Sequence, residues 1–136
     1  MVKNKVAEAI YEEAATLVWW DIDDCPIPKG YSPEGIVEKI RLALNKLNYR
    51  GSERGEVRSN IFGDVLRRGL YNDDNPPPAN RMFICREDEN YLNMLDQERK
   101  MGYNFLVAHP EHPSDWLVAS AKTTWLWKSI LEESDV

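Results

Sequence analysis

Groups of acidic residues follow three apolar segments of this 136-residue sequence. Carboxylate oxygens are the ligands that Mg²⁺ prefers, and a bound cation can activate water for attack on a phosphodiester. These residue types therefore predict a divalent-cation site with hydrolytic chemistry, provided that the groups meet in the folded chain. The groups are Asp21, Asp23 and Asp24; Glu87, Asp88 and Glu89; and Glu111 between His109 and His112.

Asp21 is the strongest candidate among these acids. It lies at the end of an almost continuously apolar run that starts at Leu17, where a buried carboxylate without a partner would be costly. Two carboxylates 4 Å apart repel by about 4 kcal/mol at an effective dielectric of 20, so a cation would stabilise the group. Acids such as Asp23 and Glu111 could equally be solvated surface, and the two histidines alternate with prolines in what we expect to be a rigid surface loop.

The apolar segments are predicted to be β-strands separated by helices. Residues 17–22 are almost all apolar, which is typical of a strand buried on both faces. Ser32 followed by Pro33 predicts a helix start, because the hydroxyl caps exposed amides and proline fits the first turn. Further helices are predicted at 6–14, 57–70, 91–100 and 114–131, and further strands at 82–85 and 104–108.

Strands that alternate with helices pair in parallel through right-handed crossovers. We therefore expect an α/β fold, a three-layer α/β/α sandwich around a mostly parallel central sheet. Ligands of such sheets bind beyond the carboxyl ends of the strands, which is where the acidic groups would meet. The expected organisation is a helical extension at 1–16, the α/β domain at 17–131 and a tail at 132–136.

The composition limits the classes of function. With 43% hydrophobic and 29% charged residues, the chain is expected to be one globular domain. Its formal charge of −6 disfavours a broad nucleic-acid surface, so any such contact must be local. The two cysteines lack zinc-like spacing and are expected to be reduced thiols, although a disulfide between Cys25 and Cys85 stays open.

The expected location is intracellular, either cytoplasmic or nuclear. No apolar run reaches the roughly 20 residues that a membrane span needs, so no membrane contact is expected. The charged N-terminus has the character of neither a secretory signal nor an Arg-rich transit peptide.

Residues 19–28, Trp-Trp-Asp-Ile-Asp-Asp-Cys-Pro-Ile-Pro, resemble the opening signature of NYN domains, a branch of the PIN-like nuclease fold. The doubled tryptophan is similar to the plant branch related to meiosis regulator and mRNA stability factor and limkain-type proteins. Three further stretches agree with the family, so the resemblance covers residues 17–131 with a gap in the middle. These stretches are 75–80, 103–108 and 121–127.

The resemblance implies a PIN-like fold and an endoribonuclease that uses Mg²⁺ or Mn²⁺ on single-stranded RNA. Asp21 matches the first metal-binding aspartate of the family, and Asp24 stands where the family usually has asparagine. The second acidic motif, typically Ser-Gly-Asp-x-Asp-Phe, corresponds to 85–91, where Asp88 keeps one aspartate and Asn90 replaces the other. The implied catalytic residues and metal ligands are Asp21, Asp24 and Asp88, with Glu89 as a further ligand, and the implied RNA contacts are Asn90, Arg58 and Arg86.

The middle of the chain departs from the family pattern. Only the glycine- and charge-rich segment 49–58 separates two predicted helices, so one or two sheet strands are expected to be missing. Their loss would expose a sheet edge, and partner chains commonly cover such edges, which predicts a homodimer or another protein partner. The alternative to an active ribonuclease is therefore an inactive module that binds RNA or protein in the regulation of gene expression.

Overall fold

The computed structural model describes residues 6–21, 23–51, 57–59, 78–86, 93, 96–97, 99–111, 114–115, 119 and 121–132. The chain is of the α/β class, as the alternation of its sequence patterns predicts. In chain order the elements are α1 (Ala9–Glu12), β1 (Thr16–Trp20), α2 (Pro33–Lys46), β2 (Val57–Ser59), β3 (Ala79–Ile84), β4 (Tyr103–His109), β5 (Thr123–Leu126) and α3 (Trp127–Leu131).

The described strands form one five-stranded sheet in the order β2-β1-β3-β4-β5, and every neighbouring pair is parallel. The prediction of a mostly parallel sheet is thus confirmed. Trp20 lies beside Ile84, and Ile84 lies beside Ala108, so β1, β3 and β4 end at a common carboxyl edge. Because β2 and β3 lie on opposite sides of β1, the gap between β1 and β3 is the topological switch point, where sheets of this kind bind ligands.

Both faces of β1, β3, β4 and β5 are buried, which explains the apolar runs within β1, β3 and β4. On one face Trp19, Phe83 and Val107 are each at most 6% exposed. The other face packs against α2 and α3. Its strand residues are Val18, Trp20, Met82, Ile84, Leu106 and Ala108, and they cluster with Ile36, Ile40 and Leu44 of α2 and with Ile130 of α3.

Helix α2 begins as its sequence predicts. The Ser32 hydroxyl accepts a hydrogen bond from the backbone N–H of Gly35 at 3.0 Å, and Pro33 occupies the first helical position. A serine cap of this kind satisfies an amide that the helix cannot pair, and proline has no amide to satisfy. The loop after β1 therefore leads from the carboxyl edge of the sheet to a fixed helix start.

A hydrogen-bonded polar network closes the opposite, amino edge of the sheet. Asn80 and Asn104 lie side by side on β3 and β4, and the Asn104 Nδ2 donates to Asn80 Oδ1 at 3.0 Å and to the Tyr49 hydroxyl at 3.2 Å. The Asn80 Nδ2 donates to the carbonyls of Tyr11 and Ala14 at 3.0 and 3.3 Å. This network attaches the segment before β1 to the sheet.

The residues before β1 pack as part of the domain. The Ala7 N–H donates to the Leu47 carbonyl at 2.9 Å, and Ala7 itself joins the core. Gly51 packs directly against the Ala14 carbonyl, which a Cβ atom at this position would strike. The described part of the expected N-terminal extension is therefore joined to the sheet by backbone and side-chain contacts.

Two predicted helices are wrong where the structure describes them. Residues 57–59, expected to start a helix, form β2 beside β1, so the segment expected to lack strands supplies one. Residues 60–77 lie outside the described residues. Thr123–Leu126, expected to be helical, forms β5, and helix α3 begins only at Trp127. Buried strands carry apolar residues at all positions and can therefore resemble a buried helix.

Helix α1 is also shorter than predicted. It spans only Ala9–Glu12 and buries no residue, while Val6 and Ile10, expected on its buried side, are 52% and 63% exposed. Asn93, Asp96, Gln97, Arg99 and Lys100 are helical, in agreement with the helix predicted at 91–100. Within the described ranges, no helix has the length and apolar character of a membrane span.

Candidate functional site

The carboxyl edge of β1 continues into a tight turn that we call the acid-bearing turn, made of Asp21, Asp23, Asp24, Cys25 and Pro26. The Asp21 N–H donates to the Ile84 carbonyl of β3 at 2.8 Å, which continues the strand pairing past the end of β1. Asp21 Oδ1 accepts the N–H groups of Asp23 and Asp24 at 2.9 and 3.2 Å. The Cys25 N–H donates to the Asp21 carbonyl at 3.0 Å, so Asp21 organises the turn that follows it.

Asp24 connects this turn to the strand across the switch point. Its Oδ2 accepts the backbone N–H of Arg86 at 2.9 Å, and Arg86 lies two residues beyond the end of β3. Asp21 and Asp24 each use one carboxylate oxygen to hold backbone. Within the described part of the chain, Oδ2 of Asp21 and Oδ1 of Asp24 have no hydrogen-bond or salt-bridge partner.

The pKa of the Cys25 thiol is affected by both acids. The thiol is fully buried, and this burial, reinforced by the carboxylates of Asp24 and Asp21 and opposed by Arg86, raises its pKa to about 12. Both carboxylates therefore act electrostatically on the same sulfur atom. Because the thiolate is the reactive form of cysteine, the protonated Cys25 is a poor nucleophile at neutral pH.

Two tryptophans hold the far end of the acid-bearing turn. The Trp20 Nε1 donates to the Cys25 carbonyl at 2.8 Å, and the Trp127 Nε1 donates to the Pro26 carbonyl at 3.2 Å. Their ring centroids are 5.5 Å apart. Trp127 falls in the segment 114–131 that is predicted to be a helix, and nothing in that prediction indicates this contact. The available signal was that a buried indole N–H needs an acceptor, and a proline-containing turn offers carbonyls.

The rim of the site carries a weak ion pair. Arg86 Nε lies 3.9 Å from Glu111 Oε1, and both side chains are more than half exposed. Such exposed pairs contribute little to stability, so the guanidinium can exchange this partner for another anion.

His109 does not lie in a surface loop, which corrects the sequence-based expectation. It is the last residue of β4 and is buried, with Nδ1 2.9 Å from the Cys85 carbonyl. A carbonyl only accepts hydrogen bonds, so Nδ1 carries the proton and cannot bind a cation. The thiols of Cys25 and Cys85 are both buried and not oxidised, so the disulfide left open by the sequence is not formed.

The structure brings together part of the predicted site. Asp21, Asp24 and Arg86 lie together at the switch point. Arg58 lies on β2 with its backbone beside Trp19. The other predicted site residues, Asp88, Glu89 and Asn90, lie outside the described residues.

The two oxygens that hold no backbone amide suit a hard cation with few protein ligands. Mg²⁺ is usually bound through one or two carboxylates and keeps several of its waters. Among the residues that the structure describes, no three His, Cys, Asp or Glu side chains are grouped to hold a metal ion. The described donor set therefore fits an open, hydrated cation site and does not fit a closed structural one.

No family model matches the sequence, and no curated protein matches it either.

Proposed function

We propose that this chain is a NYN-like domain that binds Mg²⁺ or Mn²⁺ through Asp21 and Asp24 and cleaves phosphodiester bonds of single-stranded RNA. The observation that supports the proposal is that Asp21 and Asp24 lie in the turn that follows β1, and that Asp24 binds the backbone of Arg86 beyond β3, so both acids lie beside the β1–β3 switch point. This is the place at which parallel sheets of this order bind ligands. The resemblance of residues 19–28 to the NYN signature supplies the substrate class.

In this proposal the cation supplies an activated water and neutralises charge that develops on the phosphate. Asp21 and Asp24 would hold it through the carboxylate oxygens that bind no backbone amide, while their other oxygens keep the turn in place. The exposed Arg86 guanidinium leaves Glu111 and binds a phosphate oxygen, since its planar donors match phosphate geometry. Asp88, Glu89 and Asn90, which follow Arg86 closely in the sequence, are proposed to complete the cation site and the RNA contact.

Cleavage of a labelled single-stranded RNA in the presence of Mn²⁺ tests the activity. Asp21→Asn is the informative variant, because the amide oxygen can still accept the two turn amides while the negative charge is lost. We expect its cleavage rate to fall by at least about tenfold, the smallest loss typical of damage around a metal site.

Asp23→Asn is the matched control. Asp23 carries the same charge two residues further along the turn but is exposed, and within the described part of the chain it contributes only its backbone N–H to the turn contacts. Its rate should equal that of the wild type. Cleavage that is unchanged in Asp21→Asn would come from a contaminating nuclease or another site, and the proposed activity would be wrong.

A second candidate function is an inactive NYN-like module that binds RNA or a protein partner, including a second copy of the chain. It is favoured by one observation: the described residues offer two carboxylates and no third ligand, and both carboxylates already hold backbone amides. Calorimetry with Mn²⁺ separates the two functions. A wild-type protein that binds no Mn²⁺, together with a stable dimer in light scattering, would support the module and contradict the ribonuclease.

A further inference from the structure

The acid-bearing turn is attached to three separate parts of the molecule. Its first residue, Asp21, pairs with β3, and Asp24 holds the backbone of Arg86 beyond β3. Its last residue, Pro26, is held from the other end of the chain by the indole N–H of Trp127. The first two attachments are local to the switch point, whereas the third depends on the C-terminal helix.

Trp127 is well placed to control the conformation of the turn. It is the first residue of α3, directly after β5, and only 5% of it is exposed. Its ring lies against Trp20, whose own indole donates to the neighbouring carbonyl of Cys25. Two adjacent indoles, tilted by 42° to each other, thus bind two consecutive carbonyls, and proline fixes the φ angle at the second. The turn cannot rotate after Asp24 without breaking an indole hydrogen bond.

We propose that Trp127 is a positioning residue for the cation site: its indole N–H on the Pro26 carbonyl holds the acid-bearing turn so that Asp21 and Asp24 face one ligand. The consequence for cation binding rests on the proposed function, whereas the restraint on the turn rests on the contacts alone. Trp127 touches neither a substrate nor a cation in this account, and it acts through the backbone of Pro26 and the ring of Trp20.

If Trp127 had only a structural role, its substitution would have the same effect as substitution of another buried tryptophan. Trp125 provides that control, because it is 6% exposed and belongs to the same hydrophobic core cluster. In the described part of the chain, Trp125 has no hydrogen bond to the acid-bearing turn. Substitution of either tryptophan by phenylalanine removes the same atoms from the same core, but only Trp127→Phe removes a donor from the turn.

Reactivity of the Cys25 thiol measures opening of the turn without any metal. The protein is prepared in EDTA in a Cys85→Ala background, and the rate of reaction with an aromatic disulfide reagent is followed in native buffer. Trp127→Phe should react about three- to tenfold faster than the parent, the range that follows from losing one net hydrogen bond. Trp125→Phe should react at the rate of the parent. Equal rates in the two variants would overturn the proposal.

The Mn²⁺ affinity of the same variants extends the test to the proposed function. Calorimetry should give a dissociation constant about three- to tenfold weaker for Trp127→Phe and unchanged for Trp125→Phe. If the parent itself binds no Mn²⁺, the proposed function fails, but the thiol rates still decide whether Trp127 restrains the turn. An unchanged Mn²⁺ affinity in Trp127→Phe would contradict its positioning role.

Hydrogen exchange in the wild-type protein keeps the proposal testable if Trp127→Phe does not fold. A restraint of the turn by Trp127 predicts that the Trp127 indole N–H and the Cys25 backbone N–H become exposed in the same opening event. Both protons should then exchange with the same protection factor in NMR spectra. An indole proton that exchanges freely while the Cys25 amide stays protected would show that the two are not coupled.

Discussion

The two edges of this sheet carry polar side chains of similar size but use them differently. At the amino edge, the side-chain amide groups of Asn80 and Asn104 form hydrogen bonds with each other, with Tyr49 and with backbone carbonyls. At the carboxyl edge, Asp21 and Asp24 each hold backbone amides with one oxygen and leave the other without a partner among the described residues.

The polar side chains at the amino edge therefore form a stabilising network, whereas those at the carboxyl edge form a candidate site. A buried polar network contributes to stability when its members are satisfied within the protein, which is the arrangement at the amino edge. A carboxylate that is fixed by one oxygen and unsatisfied at the other is positioned for a ligand from outside. Substitutions at the amino edge should therefore change stability and leave cation binding intact, whereas loss of the Asp21 charge at the carboxyl edge should weaken cation binding and change stability little.

The largest effect on stability is expected for Gly51→Ala at the amino edge. The added Cβ would strike the Ala14 carbonyl, which is backbone and cannot move aside as a flexible side chain would. We expect the free energy of unfolding in urea to fall by about 3 kcal/mol, at the upper end for overpacked sites. A loss below about 1 kcal/mol would mean that the segment before β1 is held less firmly than the contacts indicate.

Asn80→Ala should have the next largest effect. It removes the donor to the Tyr11 and Ala14 carbonyls and the acceptor for Asn104. Buried groups that lose a partner cost about 1–3 kcal/mol, so urea unfolding should show a loss of about 2 kcal/mol. The control is Asn93→Ala, since Asn93 is exposed and should show almost no change. Equal losses in both variants would refute a structural role for the network.

The thiol at the carboxyl edge predicts a pH effect. Because burial raises the pKa of Cys25 from 9.0 to about 12, the thiol stays protonated in the folded chain while it ionises near its ordinary pKa in the unfolded chain. The contribution of the buried, protonated thiol to the free energy of unfolding is complete below pH 9.0 and declines as the pH rises toward about 12. The stability difference between wild type and Cys25→Ala should shrink over this window, by at most about 1.4 kcal/mol per pH unit.

Urea titrations of the two proteins at matched pH values measure that difference. Burial also raises the pKa of Tyr49, but Tyr49 is common to both proteins and its contribution cancels. A stability difference that stays constant up to pH 12 would place the Cys25 thiol in a less buried or less acidic setting.

Asp21→Asn should have the smallest effect on stability. Asparagine and aspartate accept backbone amides about equally well, so the free energy of unfolding should change by less than about 0.5 kcal/mol, while Asp21→Ala loses about 1 kcal/mol. Thermal or urea unfolding checks both values. A large loss in Asp21→Asn would mean that the negative charge itself holds the turn, and the contrast between the two edges would then be lost.

Much of the fold is readable from the sequence where a local signal and burial agree. Ser32 and Pro33 mark the start of α2, and the continuous apolar runs of β1, β3 and β4 predict strands buried on both faces. The same reasoning fails for β5, because a short apolar run does not distinguish a buried strand from a buried helix, and tertiary pairing with β4 decides the outcome. Residues 57–59 were too few for a period to be recognised.

The site was predictable only in its local part. The rule that ligands bind beyond parallel strand ends pointed to Asp21 and Asp24 after the first strand, whereas Arg86 was expected only from the family resemblance. The contacts of Cys25 with its acidic neighbours and of Trp127 with Pro26 depend on tertiary packing, and no spacing in the sequence encodes them.

The most direct test of the central claim is a wild-type crystal soaked in Mn²⁺ and examined for anomalous scattering. We predict a manganese peak at the β1–β3 switch point, bound by Oδ2 of Asp21 and Oδ1 of Asp24, and no such peak in Asp21→Asn crystals treated in the same way. A well-ordered wild-type crystal with no peak within about 2.6 Å of either carboxylate would contradict the account.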